Sequence, residues 1–75
     1  MKKNQKMISG KRAGVQSCDK TEANVFVELN GDGVSHYARM NFDTNTVEMS
    51  DRSKEAVKFV EKHFTEFKAL CLSLA

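Results

Sequence analysis

Ala23-Asn24-Val25-Phe26-Val27-Glu28-Leu29-Asn30-Gly31-Asp32-Gly33-Val34-Ser35-His36-Tyr37-Ala38 is the stretch on which the fold turns. Successive side chains of a strand point to opposite sides, so Val25, Val27 and Leu29 share one face while Phe26 and Glu28 share the other. Asn30-Gly31-Asp32-Gly33 supplies residues that accept a positive φ, and the chain can reverse tightly there. A turn centred on Gly31 and Asp32 sets Leu29 opposite Val34, Val27 opposite His36 and Val25 opposite Ala38. The same register pairs Phe26 with Tyr37 on the other face. A second reversal with Thr44-Asn45 at its tip sets Phe42 opposite Val47 and Met40 opposite Met49. A slip of one residue would send these side chains to the wrong side, so the two turns support one meander. Its inner face is Val25, Val27, Leu29, Val34, Ala38, Met40, Phe42, Val47 and Met49.

Downstream the period changes. Val57, Val60, Phe64, Phe67, Cys71 and Leu74 recur at steps of three and four, which gathers them on one side of a helix. Ser50 or Asp51 is the expected cap, since a short side-chain oxygen can accept a bond from a first-turn amide. No glycine or proline interrupts the chain from Ser50 onward. The expected fold class is therefore α+β: a three- or four-stranded antiparallel β-meander covered on one face by a single long C-terminal α-helix. The expected strands lie at about 13–18, 23–30, 34–43 and 46–50, with the helix at about 51–73. Residues 7–75 form one α+β domain in this reading, and residues 1–6 a disordered basic arm.

A helix of about 24 residues is roughly 36 Å long, whereas three or four strands make a sheet about 15 to 20 Å wide. The surplus falls at the leucine-rich end, which marks Leu70, Cys71 and Leu74 as the expected contact of a homodimer, weighed evenly against a monomer.

Seventy-five residues suffice for one small core and leave no room for a separate catalytic domain. Lys2, Lys3, Lys6, Lys11, Arg12 and Lys20 stand against Asp19 alone in the first twenty residues, whereas the rest of the chain is mildly acidic. A basic segment attracts phosphate. Cys18 and Cys71 have no paired spacing, which excludes a disulfide framework and a zinc module and points to reduced thiols in a cytoplasmic protein. No apolar run follows the basic start, so neither a signal peptide nor a membrane span is expected.

Catalytic and cofactor signatures fail one by one. Gly31-Asp32-Gly33-Val34-Ser35-His36 begins like a dinucleotide loop, but His36 stands in the third glycine's place and the segment joins two strands. The same loop lacks the carboxylate spacing of a calcium site. His36, His63, Cys18 and Cys71 show no close ligand spacing, and neither cysteine has an identifiable base. The expectation is no catalytic residue, no metal, no cofactor and no membrane.

Two surfaces remain. Phe26, Tyr37 and Arg39 on the outer sheet face, with Lys11 and Arg12 nearby, combine rings that stack bases with cations that hold phosphates. Lys54, Lys58 and Lys62 align along the helix opposite its apolar side, where Lys62 can also pair with Glu66. Ser53-Lys54-Glu55-Ala56-Val57-Lys58 is similar in composition to the lysine-rich helix start of double-stranded RNA-binding domains. The resemblance covers a few residues, lacks the helix that precedes the sheet in those domains, and transfers no functional residue. The sequence thus points to a small non-catalytic binding protein, with nucleic acid as the first expected partner. The alternative is a protein-interaction module that regulates or inhibits a larger complex, for which Glu28 and Glu48 on the outer face speak.

Overall fold

The computed structural model describes residues 3 to 74. Five strands run in sequence order, each antiparallel to the next: β1 (Gln5–Ile8), β2 (Lys11–Cys18), β3 (Glu22–Val27), β4 (His36–Asn41) and β5 (Thr46–Met49). Two helices follow, α1 (Lys54–Lys62) and α2 (Phe64–Leu74), both on one side of the sheet. The α+β meander with a helical cover is the architecture the alternation and the helical period predict. The strand count and the form of the cover differ.

The additional strand is β1. Residues 5 and 6, expected in a disordered arm, belong to it, while Met1 and Lys2 of that arm lie outside the described residues. Ser9 and Gly10 make the reversal with φ of 51° and 79°, the doubly left-handed pair that a two-residue hairpin requires. Asn4 then fastens the start of the hairpin to β2. Its carbonyl accepts from the Val15 amide at 2.9 Å, and its side-chain amide donates to the Val15 carbonyl at 2.9 Å.

The β3–β4 register is the predicted one: Val25 faces Ala38, Phe26 faces Tyr37 and Val27 faces His36. The ladder stops there. Leu29 and Val34 lie in the connecting loop, where the Glu28 carboxylate accepts from the Gly33 amide at 2.7 Å. The β4–β5 pairing is displaced by two residues from the expected one, with Met40 opposite Val47 and Ala38 opposite Met49. The cause is local. The Asn41 side chain accepts from the amides of Asp43 and Thr44, and Asn45 takes a φ of 54°, which widens the turn to four residues. A shift of two preserves the faces, so Met40 and Val47 stay on the inner side, whereas Met49, now at the end of β5, and Val34 in the loop, both expected there, are exposed.

The inner face carries Ala13, Val15, Ala23, Val25, Val27, Ala38 and Met40, packed with Ile8 against Ala56, Val60, Phe67, Leu70 and Cys71 of the helices. A bulge between Val15 and Ser17 resets the alternation of β2. It turns Ser17 outward and Cys18, paired with Ala23, toward the helices.

The single long helix is in fact two. Its cap is Ser53, whose hydroxyl accepts from the Ala56 amide at 3.2 Å, and not Ser50 or Asp51. At His63 the backbone leaves helical geometry, with φ of −112° and ψ of 29°, although no glycine or proline marks the place. The sheet provides the reason. α1 packs on β4 and β5 and α2 on β2, and one straight rod would run off a sheet only about 19 Å wide. Edge-on aromatic contacts stabilise the elbow, Phe59 with Phe67 at 6.3 Å and Phe42 with Phe64 at 6.2 Å.

Candidate functional site

The ladder pairings arrange the outer face in three rows that cross the strands. Gln5, Gly14, Phe26 and Tyr37 form the central row. Ser17, Asn24, Arg39 and Glu48 lie on one side of it. Met7, Arg12 and Glu28 lie on the other. No helix packs on this side among the described residues.

Glycine at position 14 makes the central row what it is. A Cβ there would come within 2.6 Å of Cζ and 2.9 Å of Cε1 of Phe26, so the ring occupies the space that any other side chain would fill. Phe26 lies down across β2 and meets Tyr37 at 6.2 Å with an interplanar angle of 53°. An aromatic ring laid over a strand glycine shields bare backbone and is itself held in one orientation. The result is a fixed, half-buried aromatic platform in the middle of an open sheet face.

The charged groups around it are differently engaged. Arg12 pairs with Glu28 at 2.6 Å, and the Glu28 side chain retains only 12% of its exposure. Lys11, expected beside Arg12, projects to the other side of β2, and its ammonium donates to the Leu29 carbonyl at 2.8 Å. Arg39 is exposed and opposite Glu48 in the ladder. Asn24 donates to the Ser17 hydroxyl at 3.2 Å, while its buried Oδ1 has no partner among the described residues.

The structure therefore brings Phe26, Tyr37, Arg39 and Arg12 onto one surface and separates Lys11 from them. Lys54, Lys58 and Lys62 are exposed on α1, on the helical side of the molecule. A flat ligand on the sheet would not meet them. Glu66 is taken by His63, whose Nδ1 lies 3.1 Å from the carboxylate, instead of by Lys62.

The expected dimer contact changes in the same way. Leu70 and Cys71 are buried in the core at 9% and 3% exposure, because the elbow at His63 swings them onto β2. Leu74 is exposed, and with Leu72 at 64% it constitutes the apolar remainder of that end.

Gln5 and Met7 join the outer face only because β1 exists, so the sequence reading missed them. Ser9-Gly10 was the available signal. His36 sits at the end of the inner series, its Nδ1 4.0 Å from Asp51. Among the described residues no three His, Cys, Asp or Glu side chains converge as metal ligands would, and no helix is long and apolar enough to cross a membrane. No family model, no curated protein and no solved structure matches this chain.

Proposed function

We propose that the protein acts by binding, and that its ligand is a single-stranded nucleic acid held on the outer face of the sheet. The observation that carries this reading is the Phe26–Tyr37 platform, laid over Gly14 and open to solvent beside Arg39. Every base has a π-face and every nucleotide a charge, so a ring fixed in place next to a guanidinium accepts a strand without regard to sequence. Asn24, Gln5 and Ser17 supply amide and hydroxyl groups around the rings. Glu28 is already neutralised by Arg12, while Glu48 stands opposite Arg39 in the ladder and Asp51 lines the same hollow as Tyr37 and Arg39.

The test is a titration of labelled single-stranded and duplex oligonucleotides of about a dozen nucleotides at low salt. The single strand is expected to bind, with affinity falling as salt rises. Phe26→Ala and Tyr37→Ala should each weaken it roughly tenfold, the effect of losing one base stack. Replacing Lys54, Lys58 and Lys62 together by Gln should leave it nearly unchanged, since those residues lie on the other side. Absence of binding at tens of micromolar protein would overturn the proposal.

A second reading is favoured by one observation. The Arg12–Glu28 pair and the Arg39–Glu48 juxtaposition balance the charge of the face, and aromatic, Met and Arg side chains amid balanced charge are the composition of a protein contact. The simplest such partner is a second copy of the chain. Light scattering decides it: a dimer that Tyr37→Ala dissociates would assign the face to self-association, and a monomer at high concentration would remove that version.

A further inference from the structure

Neither thiol takes part in the binding face, yet the fold brings them together from opposite ends of the chain. Cys18 is the last residue of β2, and Cys71 lies in the final turns of α2. The β2 bulge turns Cys18 to the helical side, and its Sγ lies 3.7 Å from the Cys71 carbonyl oxygen. Cys71 is buried and Cys18 half-buried, and both line one apolar depression together with Lys20, Leu72 and Leu74. Two free thiols on neighbouring elements, one of them reachable from a surface hollow, are the arrangement from which an internal bridge forms.

We propose that Cys18 and Cys71 are a modification site: a thiol pair that exchanges with a small-molecule disulfide and closes to an internal bridge fastening α2 to β2. The order of events follows from exposure. The Cys18 thiolate, having given its proton to water, attacks one sulfur of glutathione disulfide; a mixed disulfide forms and one glutathione thiolate departs. The Cys71 sulfur, its proton passing to water, then attacks the Cys18 sulfur and expels the second glutathione thiolate. The two glutathione thiolates recover those protons. In sum, two protein thiols are oxidised and one glutathione disulfide is reduced to two glutathiones.

Burial first, and the hydrogen bond with Cys18 second, push the Cys71 thiol up to about 12, so Cys71 does not open the exchange. In a reducing compartment the pair rests as thiols and bridges only when the oxidised small thiol accumulates.

The experiment incubates the full chain with glutathione disulfide in mildly alkaline buffer. The expected product is a monomer lighter by two hydrogens, without reactive thiols, yielding on digestion one peptide pair joined through Cys18 and Cys71. Dithiothreitol should restore the starting mass. A bridge between residues 53 apart in sequence should raise the Tm by about 20 °C. Cys18→Ser, altered at the more exposed position, should stay folded by circular dichroism and show neither product nor shift. Persistent free thiols, a mixed disulfide that stops at Cys18, or a disulfide between two chains would each overturn the proposal.

Discussion

Along β3, Ala23, Val25 and Val27 are sealed beneath the helices, while Asn24 and Phe26 between them, and Glu28 just past the strand, look outward with no element over them among the described residues. The inner row is held by bulk. Its small alanines and valines let α1 and α2 approach closely, and burial excludes water from every side chain. The outer row is held by geometry: one glycine, one ring lying on it, and one ion pair. A sheet face without a helical cover keeps its form because cross-strand neighbours restrain one another. Such a face can remain presentable to a ligand while the other side supplies most of the stability.

Substitutions that treat the two faces alike should separate them. The largest effect is expected from Phe67→Ala, which empties the centre of the inner side. A loss of about 3–5 kcal/mol there would leave a chain of this size largely unfolded, checked by urea denaturation followed by circular dichroism. Gly14→Ala comes next. The new methyl would collide with the Asn4 carbonyl oxygen, which is fixed by its bond from the Val15 amide, and would also displace the Phe26 ring. A loss of about 1–3 kcal/mol is expected, together with weaker oligonucleotide binding.

Phe26→Ala removes the same side chain as Phe67→Ala, but from the open face. Its stability cost should be about 1 kcal/mol while the titration loses roughly tenfold in affinity. If its denaturation midpoint fell as far as that of Phe67→Ala, the division between a supporting face and a presenting face would be wrong.

The smallest effect belongs to neither face. Asp19, at the β2–β3 turn, accepts from the amides of Thr21 and Glu22 and from the Thr21 hydroxyl, and these bonds, the Thr21 amide first, hold its carboxyl below the ordinary 3.8. A group depressed on folding stabilises above its unfolded value and loses that contribution as the pH falls through the folded one. Asp19→Asn should therefore be less stable than the parent at neutral pH. The difference should shrink below 3.8, as measured by thermal melts across that range.

The parts of this architecture that were legible in sequence were those whose cause is local. The β3–β4 register follows from alternation, and it came out for Val25, Phe26 and Val27 but not for Leu29 and Val34, which lie in a loop held by the bond from the Gly33 amide to Glu28. The β4–β5 turn kept its faces but shifted by two, because the Asn41 side chain draws Asp43 and Thr44 into a wider loop that the alternation alone does not register. β1 was hidden. Gln5-Lys6-Met7-Ile8 has only two apolar residues, and its reason to be a strand is the pair of hydrogen bonds between Asn4 and Val15, eleven residues on. The purpose of Gly14 was likewise invisible, because the ring that demands it comes from β3. Phe26, Tyr37 and Arg39 were found from pattern and do share a surface, whereas Lys11 was lost to a carbonyl and Leu70 and Cys71 to the core.

The elbow at His63 also has a consequence for the order in which this molecule comes apart. α1 rests on β4 and β5, the strands that immediately precede it, so its docking closes only short loops. α2 rests on β2, some fifty residues earlier in the chain, so seating it on an unfolded chain closes the longer loop, a difference of about 1–2 kcal/mol. The two halves of the cover are thus unequal latches. Amide protons of α2 should exchange with solvent through partial openings that leave the meander and α1 intact, and the C-terminal latch would be the last to engage on the way back.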